Sequence, residues 1–302
     1  MTDLTSPREV TVDPENVGTF LKLILRGASS EIAAADAVVR RSQQHGTAHD
    51  PESIRKLRLS FRRLLYRLEM MSDVEESLSS QDLVRGLDEV GKPLGELRDA
   101  EILATLVIKA LGDRIGSPEG RQLMAMVTEL RRTKQLSADA MINSTMYQDV
   151  IRATTGYRDS IATLEASTLS IRPFAHRVMY LSWRRLRKAA KRAKRNGSDD
   201  NLHQLRIAAK RSMYSAQAFE ELLGTPTQRF ASRLGLLQRH LGGQHDHVVT
   251  CAWIEKAGED HPSLRHLTKT LSAKERKRAD RSANKWTGRW KAVRKARPGD
   301  LL

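Results

Sequence analysis

A chain of 302 residues with 52 Lys and Arg against 36 Asp and Glu carries a formal charge of +16. That balance selects anionic partners (nucleic acid, an anionic membrane face or another polyanion) and says little about fold. Aromatic residues make up 5%, too few for the stacking platforms of single-strand nucleic-acid binders, and the single cysteine, Cys251, excludes an intrachain disulfide and a cysteine-based zinc site.

The opening MTDLTSPREVTVDPENVGTF has charges and prolines where a secretory signal needs an apolar run. No segment reaches the uninterrupted apolar length of a membrane span. The expectation is a soluble, cytoplasmic protein. Apolar residues recur at i, i+3, i+4 and i+7 almost throughout, and alternating strand-like runs are scarce. The predicted helices are 16–45, 51–72, 77–112, 118–143, 144–168, 174–196, 200–223, 227–258 and 262–294, the third broken near 91–93 and the eighth near 242–243. NGSDDN at 196–201 reads as a turn that ends on a helix cap. The fold class is all-α.

The chain repeats itself. SIRKLRLSFRRLLYRLEMM at 53–71 lies over NLHQLRIAAKRSMYSAQAF at 201–219, matching Leu57 to Leu205, Arg58 to Arg206, Arg62 and Arg63 to Lys210 and Arg211, and Tyr66 to Tyr214, at an offset of 148 residues. KPLGELRDAEIL at 92–103 lies over RHLGGQHDHVVT at 239–250, matching Leu94, Gly95 and Asp99 to Leu241, Gly242 and Asp246 at an offset of 147. Two segments that keep their distance to within one residue indicate a tandem duplication. An amphipathic helix must bury its apolar stripe, so the economical architecture is a pair of four-helix bundles, 15–170 and 171–297, within one domain spanning 1–302. Related halves of this kind are expected to pack about a pseudo-twofold axis. Pro173, in TLSIRPFAH at 168–176, marks the junction.

On the helix at 53–71, Arg55, Arg58, Arg62 and Tyr66 fall within about 80° of one another, opposite Leu57, Phe61, Leu64 and Leu68. His203, Arg206, Lys210 and Tyr214 occupy the same arc in the second copy. A merely solvated face has no need to keep Arg over Arg and Tyr over Tyr. A further run, HRVMYLSWRRLRKAAKRAKR at 176–195, holds nine Lys or Arg and no acid. Within it Arg184, Arg187, Lys188, Lys191, Arg192 and Arg195 form one cationic face whose mutual repulsion an anionic ligand would reverse. The segment 272–297 has eleven basic residues against two acids, with Trp286 and Trp290 one turn apart. The tryptophans are expected to pin a last helix to the core; whether the basic residues join a site or form a solvated surface stays open. Rows of Arg forks and Lys point charges on adjacent helices suit a repeated phosphate.

LHQLRIAAKR at 202–211, its partner IRKLRLSFRR at 54–63 and LGELRDAEIL at 94–103 together resemble the CHAD domain, the conserved histidine α-helical domain. The likeness spans about 20–295. It implies a pseudo-twofold pair of four-helix bundles that binds inorganic polyphosphate in a basic cleft, without catalysis, cofactor or metal. Carried onto this chain, and joined to the basic rows read above, the expected binding set is Arg55, Arg58, Arg62, Arg63, Tyr66, Arg184, Arg187, Lys188, Lys191, His203, Arg206, Lys210, Arg211 and Tyr214. Arg55 stands where the signature has histidine, which keeps the charge and removes its pH dependence. The ExExK strand of the triphosphate-tunnel domain that precedes many family members is absent from the sequence, so a stand-alone domain is expected, cytoplasmic and drawn to polyphosphate granules if its partner resides there.

Two rival readings stand beside this one. HLGGQHDHVV at 240–249 offers His240, His245, Asp246 and His247 to a metal-dependent phosphohydrolase, although the repeat puts Arg98, Asp99 and Ala100 at the equivalent positions and His245 and His247 project about 200° apart on a helix. Asp99 and Asp246, retained in both copies, are expected to cap a helix or pair with an arginine. Nucleic acid is the other rival, disfavoured by the scarcity of aromatics and the absence of any zinc-finger, helix-turn-helix or RNA-recognition motif.

Overall fold

The computed structural model describes residues 15–44, 51–78, 80–160 and 168–299. Eleven α-helices follow in chain order: α1 (Val17–Gln44), α2 (Pro51–Ser72), α3 (Gln81–Leu111), α4 (Pro118–Ile142), α5 (Thr145–Ser160), α6 (Ile171–Arg195), α7 (Asp199–Ala218), α8 (Glu220–Leu223), α9 (Thr225–Asp260), α10 (Arg265–Ala283) and α11 (Trp286–Ala296). Among the described residues the only β-type pairing is one isolated antiparallel bridge between Asn16 and Ser170. The all-α fold class holds. No helix among the described residues is long and apolar enough to cross a membrane.

Helix α6 opens at Ile171, inside the segment 168–176 that was read as the junction. Pro173 sits in the first turn of α6, where its missing N–H would have no intrahelical partner in any case. Among the described residues five helices of eleven or more residues lie on each side of this point; five were predicted before it and four after it, and the fifth after it arises because the predicted helix at 262–294 divides at Asn284 into α10 and α11. Trp286 is buried, and Trp290 stacks on Trp183 of α6 with ring centroids 5.5 Å apart. The tryptophan pair therefore anchors the last helix, as its spacing implied.

The breaks expected near 91–93 and 242–243 do not occur. Helix α3 runs through Pro93 with Leu87, Val90, Leu94 and Leu97 buried on one stripe, and α9 runs 36 residues through Gly242 and Gly243. Proline and glycine cost a helix about 3 and 1 kcal/mol respectively, and buried apolar side chains on both sides of them outweigh that local preference.

The core explains why the halves do not stand apart. One buried cluster takes side chains from every α-helix but α10, and a second joins the C-terminal ends of α3 and α9 with α4 and α10. Each cluster draws on both repeats, so neither half closes its own core. Segments from before and after Ile171 meet at two points. At one end, Val17 N–H donates to Leu169 O at 2.9 Å beside the Asn16–Ser170 bridge, tying the starts of α1 and α6. At the centre, Tyr66 of α2 stacks on Tyr214 of α7.

Candidate functional site

Helix α2 packs on α3 and α7 on α9, and the two pairs meet through α2 with α7 and α3 with α9. Their apolar stripes, Ile54, Leu57, Phe61, Leu64 and Leu68 on α2 and Leu202, Leu205, Ala209 and Ala216 on α7, are buried. The 3.6-residue period then turns the opposite stripes toward each other. Between them lies a cavity of about 290 Å³ lined by Arg58, Arg62, Tyr66, Asp99, Ile102, Leu103, His203, Arg206, Ile207, Lys210, His245, Asp246, Val249 and Thr250. Most of these lining residues are repeat partners of one another: Arg58 and Arg206, Arg62 and Lys210, Asp99 and Asp246, Ile102 and Val249, Leu103 and Thr250. A groove of about 440 Å³ continues along the first half and shares Arg58, Arg62 and Asp99 with the cavity.

Arg58 and Arg206 face the glycines that the repeat retains. A Cβ on Gly95 would lie 3.7 Å from Arg58 Nε, and one on Gly242 would lie 3.6 Å from Arg206 Nε. Each guanidinium thus lies over the glycine of the facing helix at a distance where a Cβ would just reach contact. Both Nε atoms are buried without a hydrogen-bond partner. Asp99 is the nearest counter-charge, 3.7 Å from Arg58 Nη2, and the Asp246 carboxyl faces Arg206. Asp99 thus pairs with an arginine of the row, one of the two duties expected of it, and Asp246 interacts with Arg206 electrostatically.

Lys210 is the most enclosed cation, 9% exposed, with its ammonium 5.7 Å from the centroid of the Tyr66 ring. Burial, followed by the charges of Arg62, Arg206 and Arg58, pushes its pKa down to about 6. The same order of causes holds Arg58 down at about 10, desolvation first and the charge of Arg62 second. His203 and His245 lie with ring centroids 4.4 Å apart. Burial, then Arg206, brings His245 down to about 4 and lowers His203. On the opposite side of burial's effect, the Asp246 carboxyl is raised, with Arg206 opposing the shift. The site is one in which several cations resist full charging.

The sequence-predicted set divides accordingly. Arg58, Arg62, Tyr66, His203, Arg206 and Lys210 line the cavity, and Tyr214 is buried behind it, stacked on Tyr66. Arg55 is turned out to solvent, its Nε and Nη2 each donating to Glu52 at 2.6 Å. Arg63 pairs with Glu31 of α1 at 3.4 Å and Arg211 with Glu69 of α2 at 2.9 Å. Both lie outside the row because position i+5 falls on another side of the helix from i and i+4. Arg184, Arg187, Lys188 and Lys191 are exposed on α6, and none of them lines the central cavity. The basic segment at 272–297 contributes no residue to it either; Arg276 instead pairs with Asp199 at the start of α7, 3.0 Å away. Sequence reading passed over Ile102, Val249 and Thr250. Their signal was present in the repeat at 92–103 and 239–250, where Ile102, Val249 and Thr250 stand three or four residues after Asp99 and Asp246 and so share a helix face with them.

The residues singled out for a metal part company. His240 Nε2 lies 2.9 Å from Ser282 O, His247 Nδ1 lies 2.6 Å from Oε2 of the buried Glu275, which also holds Arg278, and His245 faces His203. Among the described residues no group of three or more His, Cys, Asp or Glu side chains converges as metal ligands would.

Comparison with known proteins agrees with this architecture. The CHAD domain family matches residues 24–255. Of solved structures, the crystal structure of the CHAD domain from the plant Ricinus communis superposes with a TM-score of 0.75 at 20% identity, covering 94% of each chain. PptA from Streptomyces chartreusis superposes at 0.71 and 17% identity, over 91% of this chain and 99% of that one. At such identities the likeness concerns the fold. No curated protein matches the chain in sequence. With the family match extending over most of the sequence and the helical repeat in place beneath it, the chain belongs to the CHAD domain family.

Proposed function

We propose that this protein binds inorganic polyphosphate, without catalysis, in the central cavity, with Arg58, Arg62, Arg206 and Lys210 as the principal contacts and His203 and His245 beside them. One observation carries the reading. Four cations from the two repeats face one cavity that contains only two carboxylates, Asp99 and Asp246, so a polyanion lowers the electrostatic cost of bringing them together. Family membership supports the same ligand, since CHAD domains are linked to polyphosphate binding. Guanidinium forks engage phosphate oxygens in bidentate pairs, and the adjoining groove along Lys92 and Gly95 gives a linear polymer room to extend.

Nucleic acid fits this cavity less well. The rings nearest the cations, Tyr66 and Tyr214, stack on each other, Tyr214 is buried, and Tyr66 also carries Lys210 and Arg211 over its ring, which leaves little open face for a base. The test is a competition titration in which labelled duplex DNA is displaced by long-chain polyphosphate at equal phosphate concentration, at low and at physiological salt. Displacement at both salt levels is expected. Retention of DNA against polyphosphate, or unchanged polyphosphate affinity after Arg58, Arg62, Arg206 and Lys210 are all replaced by Ala, would reject the proposal.

A further inference from the structure

The acid-free face of α6 is not absorbed by the central site. We infer that it belongs to a second site: the off-axis cavity bounded by α2, α6 and α7 binds a small organic phosphate monoester, with its apolar body in the groove and its phosphate on Lys188 and Arg192. This inference does not depend on the polyphosphate reading.

Charge complementarity identifies the head group. The charged side chains around this cavity are Arg185, Lys188, Arg192 and Arg211 against Glu69 and Asp73. Arg185 is hydrogen-bonded to Asp73, and Arg211 to Glu69 at 2.9 Å, so these four neutralise one another. Lys188 and Arg192 stay exposed, with no carboxylate partner among the described residues. They stand one turn apart at i and i+4, on the same side of α6, where like charges repel. The local excess is two positive charges, and a phosphate monoester carries close to two negative charges at neutral pH.

The groove identifies the body. Its volume is about 240 Å³, and its walls include Met70, Val178, Leu181, Ala189, Ile207 and Ala208. Pockets for drug-sized ligands run from about 300 Å³ upward, so this one suits a ring or a short chain and is too small for a lipid tail. The serines at its base do not demand a polar ligand: Ser182 Oγ donates to Ser212 Oγ at 2.8 Å, and Ser215 Oγ donates to Arg211 O at 3.0 Å. Duplication alone does not explain the cavity. At the 148-residue offset, Ser215 corresponds to Arg67, whose half-buried guanidinium lies among Glu31, Arg63 and Tyr214. A short side chain at this position is one reason the second half keeps an open groove.

The experiment titrates the full chain with phenyl phosphate by calorimetry, with inorganic phosphate and phenol as separate arms. One-to-one binding of phenyl phosphate is expected, with each fragment weaker by roughly tenfold or more. The surface double variant Lys188→Glu/Arg192→Glu is expected to lose roughly tenfold or more in affinity, whereas Arg58→Ala/Arg206→Ala keeps it. Ala189→Phe, which fills the groove, is expected to abolish binding, with circular dichroism reporting whether it folds. Three results would each overturn the inference. Inorganic phosphate binding as well as phenyl phosphate would leave the apolar groove without a role. Loss in the Arg58→Ala/Arg206→Ala variant with retention in the α6 variant would place the ligand in the central cavity. Co-sedimentation with phosphatidic acid vesicles that depends on Lys188 and Arg192, without calorimetric binding of phenyl phosphate, would make the face a membrane contact.

Discussion

Tyr66 and Tyr214 stack across the centre of the molecule with ring centroids 5.6 Å apart and planes 27° from parallel. They are the same position of the repeat, so the stack joins the two halves at the point where their cationic rows meet. Tyr66 also lies under the Lys210 ammonium and the Arg211 guanidinium, at 5.7 and 5.6 Å. Tyr214 is 4% exposed, and its truncation to Ala is expected to cost about 3–5 kcal/mol, read as a lower midpoint in urea. Tyr214→Phe retains the stacked ring and is expected to stay within about 1 kcal/mol of the parent.

The arginines of one helix face are not interchangeable. Arg58→Ala and Arg206→Ala remove forks aimed at the cavity and are each expected to weaken polyphosphate binding by roughly tenfold and to reduce the salt dependence by about one phosphate contact. Arg63→Ala and Arg211→Ala remove side chains already committed to Glu31 and Glu69. Those two are expected to change affinity by less than about threefold. Equal losses from all four variants would show that the polymer wraps the helices rather than entering the cavity.

Lys210 makes binding pH-dependent. With no polyanion its pKa is near 6, so between pH 6 and 8 it changes from half charged to mostly neutral. A bound polyanion favours the charged form, so binding takes up a proton in this range and affinity falls as pH rises, by at most about tenfold per pH unit. Below 6 this contribution levels off, and His245, near 4, supplies a second rise on further acidification. Calorimetry in buffers of different ionisation enthalpy measures the uptake. Lys210→Arg is expected to abolish the slope above pH 6, because a guanidinium stays charged throughout.

The same lysine sets a stability trade. Between about 6 and its ordinary 10.5 the unfolded chain holds more protons at Lys210 than the folded chain does. Stability in the absence of a polyanion therefore rises with pH across that window. Lys210→Met removes the cost of deprotonating and burying an amine that is charged in the unfolded chain, and is expected to stabilise the protein at pH 7 by about 1–3 kcal/mol while weakening polyphosphate binding. Denaturant curves at pH 6 and pH 9 check both the sign and the disappearance of the pH dependence in the variant.

Gly242 separates helix propensity from ligand positioning. A Cβ at 3.6 Å from Arg206 Nε fits without displacement, so Gly242→Ala is expected to retain affinity and gain about 0.5–1 kcal/mol of stability from its helix propensity. Gly242→Leu carries atoms into the guanidinium itself. It is expected to lose roughly tenfold in affinity with unchanged helical circular dichroism, and Gly95→Leu is expected to do the same through Arg58.

The periodicity of apolar residues specified the helices and the face each one buries, because burial depends on a repeat of 3.6 residues that any helix expresses locally. The internal repeat specified more: that Arg58 and Arg206, Arg62 and Lys210, and Tyr66 and Tyr214 share a role. Side chains three and four apart stay together on one helix, so this row was legible without a structure. Arg55, Arg63 and Arg211 were not separable from it, since carboxylates from the same or another helix, Glu52, Glu31 and Glu69, decide where those guanidiniums point. Nor was the continuity of α3 through Pro93 legible, because packing on both sides of the proline overrides its local preference. Composition and pattern by themselves determined an all-helical duplicated chain with matched cationic rows. Only the tertiary structure decided that those rows face each other across one cavity, that Lys188 and Arg192 of the α6 row border a different one, and that both cores are shared between the halves. These outcomes depend on which helices pack together, and contacts between residues distant in sequence settle that.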